Sequence, residues 1–225
     1  MSPRAVPIQW RKTEEAANLP GDPAEWLTTT KTFLNRPLED TFFDAEVAML
    51  LKAARRAVEA HCRLALAPAT WVGVCRELPR DGLRLGAARP FRSVEKIEYV
   101  DADTGQIVIM DPALYIASPA AQFCGAVELG DGLDWPPIAR RADAVRITAK
   151  TGFYDLDGTT PRLPDDVRQA VLMTVAALDA NHGDGGSGGG GGVTVFALQN
   201  VHASPIPEVA RVLLAPYVYR LVVVA

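Results

Sequence analysis

The chain has 225 residues, of which 48% are hydrophobic and 22% charged, the balance of an ordinary globular protein with length for one domain and elaborations. Its formal net charge of -4 supplies no general positive field to neutralise phosphates, so tight, sequence-specific DNA binding is not expected, and the charge suits a surface past which DNA slides. Aromatics are scarce at 7% while glycine (18) and proline (17) are plentiful, so a modest core among many turns and extended arms is expected.

Residues 1–21 mix proline, charge and a lone Trp10 without any period, and read as an arm ordered by contact with another subunit. A first helix is predicted from Pro23 to Asn35, with Asp22 as N-cap, Pro23 in the first turn, Glu25 at the capping-box position and Pro37 beyond the end. A stronger helix is predicted from Asp40 or Thr41 to Cys62, because Val47, Leu50, Leu51, Ala54, Ala57 and Val58 recur at three-and-four spacing. Lys52, Arg55, Arg56 and Glu59 fall mainly on its other side, and the Arg55 to Glu59 pair reads as a solvated ion pair.

The middle of the chain changes character. Residues 70–78, 93–100, 106–110, 114–117, 126–129 and 144–151 are short β-prone runs separated by Gly, Pro and Asp. In the last run Val145, Ile147 and Ala149 alternate with Arg146, Thr148 and Lys150, the pattern of a strand with one wet face. No ten-residue helical pattern separates these runs, so an antiparallel sheet is expected and a parallel doubly wound one is not.

Helical periodicity returns after Pro164, with Asp165 and Asp166 at the positive end of the helix dipole and Val167, Ala170, Val171, Thr174, Val175 and Leu178 as its apolar stripe up to Asn181. Residues 183–192 (GDGGSGGGGG) lose too much chain entropy on ordering to fold alone and read as a tether. Beyond it a strand is expected over 193–201, a short helix over 207–214, and a bare β-branched end at Leu221–Ala225 (LVVVA) that calls for a covering partner, by strand addition to another sheet edge. Arg211, Pro216 and Arg220 interrupt the apolar C-terminal stretch, so a membrane span is not expected.

Catalytic and metal signatures are lacking. The three cysteines, Cys62, Cys75 and Cys124, have no CxxC spacing, and with an odd count they point away from a disulfide framework and towards synthesis in a reducing cytoplasm. The three histidines, His61, His182 and His202, have no metal-ligand spacing, and neither a GxSxG elbow nor a GxxxxGK[ST] phosphate loop occurs. Asp101, Asp103 and Gly105 read as a turn between strands rather than a calcium loop, whose final acidic ligand would fall at Pro112. Asp155, Asp157 and Gly158 read as a loop before an acid–base pair, and Trp135-Pro136-Pro137 as a rigid loop packed on the sheet. No cofactor and no catalytic residue are assigned.

Several segments in fixed order carry a resemblance. They are Thr30-Lys31-Thr32-Phe33-Leu34, the run from Ala53 to Ala60, Ala67-Pro68-Ala69-Thr70-Trp71, Phe91 to Ile97 followed by Tyr99-Val100-Asp101, Tyr115, Trp135-Pro136, Val145 to Phe153, and Leu163 to Ala170. Over residues 23–181 this order resembles the head-tail connector (head-completion adaptor) family of long-tailed phages and gene transfer agents.

The resemblance implies an α+β fold: a small helical bundle of two N-terminal helices and a third near 165–181, with an antiparallel β-rich insertion and extended arms. The chain divides into an N-terminal arm (1–21), a connector core (22–182, with helices 23–35, 41–62 and 165–181 and a β-rich region 70–152), a Gly-rich tether (183–192) and a C-terminal arm (193–225). It also implies a non-enzymatic adaptor in the virion neck, made in the bacterial cytoplasm and closed into a ring of about twelve copies by heterologous contacts. Partners would be the portal protein above, a stopper or terminator below, and double-stranded DNA passing without sequence-specific binding.

On this reading the C-terminal apolar residues Val212, Leu213, Leu214, Tyr217, Tyr219, Arg220, Leu221 and Val222, together with Trp10, are the expected contacts with the portal or a neighbouring subunit. The rivals are another neck or tail protein such as a tail terminator, which should be dominated by a sheet with fewer helices, and a small hydrolase using Asp155 and Asp157.

Overall fold

The computed structural model describes residues 8–16, 19–79, 82–86, 88–119, 123–154, 160–183 and 205–218. The elements are β1 (Gln9–Glu15), α1 (Pro23–Phe33), α2 (Asp44–Cys62), β2 (Ala69–Cys75), β3 (Leu83–Leu85), β4 (Phe91–Val100), β5 (Ile107–Ile109), β6 (Tyr115–Pro119), β7 (Gly125–Leu129), β8 (Val145–Thr151), α3 (Asp165–Gly183) and α4 (Glu208–Leu214). They fall into two compact units: a helical one, 18–63 with 162–225, and a β-rich one, 64–161 joined by the N-terminal segment. The chain is therefore α+β, with antiparallel sheets inserted between α2 and α3 as expected.

In the helical unit α3 packs against α2, α4 and α1. Val47, Leu50, Ala54 and Val58 of α2 are buried in this unit, as are Val167, Ala170, Val171 and Val175 of α3, which is the expected i, i+3, i+4 stripe on each. Thr174 is buried too, and its hydroxyl donates to the Ala170 carbonyl at 2.7 Å, so it adds no unsatisfied group to the stripe. Asp22 caps α1 as predicted, its carboxylate accepting from the Ala24 amide at 2.9 Å. Glu25 does not close a capping box; it accepts from Arg168 of α3 at 2.7 Å, an ion pair between helices that chain spacing could not reveal.

Two further expectations are corrected here. Helix α2 begins at Asp44 rather than 40 or 41, because residues 38–43 form a corner held from α1. The Arg55–Glu59 pair is not solvated: the two side chains keep 8% and 14% of their exposure, with Arg55 Nε donating to Glu59 Oε1 at 3.1 Å. Arg63 then stops α2 in the left-handed conformation, φ 55°, where glycine is the more usual residue.

In the β-rich unit a five-stranded sheet runs β1-β2-β8-β4-β5 and a three-stranded one β3-β7-β6, every described pairing being antiparallel. Val145, Ile147 and Ala149 of the central β8 face a core shared with Ile97, Leu83, Leu85 and Val127. Arg146 and Lys150 are exposed on the other face, whereas Thr148 between them is buried, so the wet face is narrower than its alternation suggests.

Residues 9–15, read as part of an arm, form the edge strand β1. Trp10 lies opposite Gly73 in register, and a Cβ at Gly73 would stand 2.8 Å from the Trp10 ring, so the missing side chain is what lets the indole lie on the sheet. The turn at Asp101 joins β4 to β5, its carboxylate accepting from the Asp103 amide, the Thr104 amide and the Thr104 hydroxyl, with Gly105 at φ 69°. Trp135 packs on the core and donates to the Pro79 carbonyl at 3.2 Å, while Pro137 accepts from Ala102, the rigid loop expected of that sequence. Of the tether expected over 183–192, Gly183 belongs to α3, while residues 184–192, the strand expected over 193–201 and residues 219–225 lie outside the described residues.

Candidate assembly surfaces

Lys31 of α1 is 3% exposed, and its ammonium donates to the Leu38 carbonyl at 2.8 Å, the Asp40 carbonyl at 2.7 Å and Asp44 Oδ1 at 2.8 Å. Three donors spent on one corner fix the path of residues 38–44. Arg36 strengthens it by pairing with Asp179 of α3 and lying 4.9 Å from the Phe43 ring centroid. The corner thus held presents Leu38 and Phe42 to solvent, Phe42 being 83% exposed. A rigid exposed aromatic suits an interface, since little entropy is lost when it is covered.

Helix α4 carries apolar residues on two sides. Ala210 and Leu214 are buried in the helical unit, a burial that for Leu214 stabilises by about 1.5–3 kcal/mol, while Val209 and Val212 face outward, Val212 at 66% exposure. The helix is held at its C-terminal side by Tyr217, whose hydroxyl lies 2.9 Å from both carboxylate oxygens of Asp166 at the start of α3. Burial first, and the neighbouring Asp166 carboxylate second, push the Tyr217 phenol well above the usual tyrosine value.

Among the predicted contact residues, Val212 is exposed, Leu213 and Tyr217 are half-buried, Leu214 is buried inside the helical unit, and Trp10 is half-buried on the sheet. Tyr219, Arg220, Leu221 and Val222 lie outside the described residues. The structure therefore brings Val212, Leu213, Leu214 and Tyr217 together on one short helix and its end, and assigns Trp10 to the β-rich unit.

Sequence reasoning missed two surfaces. One is the Leu38–Phe42 corner, whose signal was two apolar residues around Glu39 and Asp40 in a loop. The other is β5, where Ile107 is 67% and Ile109 64% exposed at the open edge of the five-stranded sheet. The remaining edge of that sheet, β1, carries Arg11, Lys12, Glu14 and Glu15 and is guarded by charge in the way edge strands usually are.

Among the described residues, groups suited to catalysis are not brought together. Burial pushes the Cys75 thiol up to about 11, and burial also raises Cys124 against the opposing pull of Arg89 and Arg84, so both thiols are poor nucleophiles near neutrality. Asp101 is lowered by its hydrogen bonds from Thr104, and Asp143 by its bonds to Arg141, the direction opposite to that of a general acid. Asp155 and Asp157 lie outside the described residues. Among the described residues no three His, Cys, Asp or Glu converge as a metal would require, and no helix is long and apolar enough to cross a membrane. The largest depression among those lined by Trp10, Arg11, Val72 and Arg146, or by Glu14, Lys150 and Tyr154, is about 460 Å³ and lies on the open face of the sheet.

No protein-family model matches the sequence, and no curated protein is significantly similar to it. Solved structures are similar in fold. One chain in a structure described as the neck of an empty GTA particle computed with C6 symmetry superposes with a TM-score of 0.63 at 17% identity, covering 96% of this chain and 98% of the other. A chain in the virion of a native gene transfer agent (GTA) particle gives 0.61 at 20% identity, and one in the neck of a native GTA particle computed with C12 symmetry gives 0.55 at 20%, each covering 94% of this chain and 97% of the other. The likeness runs through both units, so the helical bundle and the β-rich insertion are shared together.

Proposed function

We propose that the chain is a structural subunit of a virion neck, which closes into a ring beneath the portal, joins the DNA-filled head to the tail and helps retain the genome. The observation that carries this reading is the end-to-end likeness to chains of gene transfer agent particles, two of them described as necks, covering at least 94% of this chain and 97% of each counterpart. Exposed apolar residues on otherwise ordered elements support it, since Phe42, Val212 and Ile107 stay solvated in a free subunit and are covered in an assembly. Its partners are further copies of itself, a portal above, a stopper or terminator below, and DNA in the channel, where a net charge of -4 lets the duplex pass without sticking.

On this reading the chain has no catalytic role. Burial raises the Cys75 and Cys124 thiols, which disfavours either as a nucleophile, while Asp155 and Asp157, on which the hydrolase alternative rests, lie outside the described residues. Two N-terminal helices and α3 favour an adaptor over a terminator dominated by sheet.

The test is to purify the chain with the portal encoded beside it, and to measure the mass of each and of their mixture, with particle images taken down the symmetry axis. A closed ring of about a dozen copies seated on the portal is expected. A chain that stays monomeric and leaves the portal unoccupied at every concentration would rule the reading out.

A further inference from the structure

Strand β5 is an edge without protection. Its pairing with β4 matches Val100 with Ile107, Tyr99 with Val108 and Glu98 with Ile109, and the ladder is flanked by the Asp101 amide donating to the Gln106 carbonyl and the Met110 amide donating to the Ile97 carbonyl. The alternation of an antiparallel ladder then turns the Val108 backbone groups towards β4, and those of Ile107 and Ile109 towards the open side. Four backbone donors and acceptors, framed by Ile107, Val108 and Ile109, are thus offered to a further strand.

The other described edges do not make this offer. The β1 edge is charged, β6 ends at Pro119, which cannot donate to a ladder, and β3, as short as β5, buries Leu83 and Leu85 and exposes only the charged Arg84, whereas β5 exposes three apolar side chains.

We infer that this edge is completed by the C-terminal segment Leu221–Ala225 of a second copy, added as a sixth strand. The described chain stops at Val218, and the seven remaining residues read Tyr-Arg-Leu-Val-Val-Val-Ala. Leu221 to Ala225 combine high β-propensity with no charged side chain, proline or glycine, the composition that pairs with a bare edge. At about 3.3 Å per residue the five span roughly 16 Å, enough to cover all of β5.

Charge fits as well. Arg220 precedes the segment, and β5 is flanked by Asp101 and Asp103 on one side and Asp111 on the other, so a carboxylate meets the guanidinium in either strand direction. Each copy then donates one strand and receives one. A donor at one surface and an acceptor at another make a heterologous contact, which closes into a ring when the rotation allows. The inference rests on the ring reading above and names the contact that would close it.

The experiment uses full-length chains that differ by single substitutions. An Ile107→Cys chain is mixed with a Val223→Cys chain under mild oxidation, with Gln9→Cys on β1 as the control acceptor; the native cysteines are buried. The mixture with Ile107→Cys is expected to give at least tenfold more cross-linked heterodimer than the mixture with Gln9→Cys. Deletion of 221–225 from the otherwise native chain, with folding checked by circular dichroism, should weaken self-association at least tenfold by mass measurement. Equal cross-linking to both acceptors overturns the inference. An intrachain disulfide in the double variant Ile107→Cys/Val223→Cys, at concentrations where mixed single variants give nothing, also overturns it. If the truncated chain forms the same rings as the intact one, the strand inference fails and the ring reading stands; if the intact chain forms no ring, both fail.

Discussion

Replacing Lys31 with Met keeps the length of the side chain and removes the ammonium from the α1–α2 corner. In the native protein that ammonium satisfies the carbonyls of Leu38 and Asp40 and one oxygen of Asp44 at 2.7–2.8 Å, while only 3% of its surface reaches water. Stripping one partner from a fully buried ion pair costs about 3–5 kcal/mol. Asp44 keeps 31% of its side-chain exposure and Leu38 is exposed, so water replaces part of what is lost and the expected cost falls to about 2 kcal/mol. In urea, with a slope of about 2 kcal/mol per molar, the midpoint read by circular dichroism at 222 nm drops by about 1 M. Lys52→Met on the exposed face of α2 is the control and should stay within about 0.5 kcal/mol of wild type. A Lys31→Met midpoint indistinguishable from that control would refute the claim that the ammonium organises the corner that displays Phe42.

Gly73→Ala puts a methyl 2.8 Å from the Trp10 ring and 2.9 Å from Ile8, so β1 should detach at a cost of about 1–3 kcal/mol. Amide exchange is then expected to rise over Gln9–Glu15 and stay unchanged over Val145–Thr151. Tyr217→Phe removes the hydroxyl that lies 2.9 Å from Asp166 and should cost about 1 kcal/mol, read as faster exchange across Glu208–Leu214. The phenol is raised above its ordinary value of about 10, so its contribution is complete below that pH and is lost as pH climbs through the higher folded value. In an absorbance titration at 295 nm this tyrosine should remain protonated after an ordinary one has ionised.

The elements that the sequence revealed are those with a local signal. The stripes of α2 and α3 repeat every three or four residues, the Asp22-Pro23 start is chemical, and Val145, Ile147 and Ala149 alternate, so each was legible within a short window. Strand β1 was not, because QWRKTEE holds one apolar residue, and the side chain missing at Gly73, which makes room for it, lies sixty-three positions further along the chain. Arg55 was misjudged for a related reason, since a charged residue reads as solvated until its partners are known, and the role of Lys31 was not seen at all, because its partners come from a corner with no regular structure. The β5 edge was legible as a strand but not as an edge, since edge status depends on the order β1-β2-β8-β4-β5, which local pattern does not encode.

That order makes the five-stranded sheet directional. A sheet guarded at both edges has no means of growing, and one bare at both edges would pair with itself without limit. Here β1 is charged and β5 is bare, so growth by strand addition is open on one side only. A single bare edge would pair with the same edge of a second copy and stop at a two-fold dimer, unless a different segment competes for it more effectively. On the inference above, the segment Leu221–Ala225, which has no charged side chain, is carried on every copy and is covalently linked to the subunit that donates it, is such a competitor, and its effective concentration rises as soon as any other contact brings two subunits together. In the proposed ring, exposed apolar groups such as Phe42 and Val212 would supply that first contact, after which strand addition would fix the head-to-tail sense that closure requires.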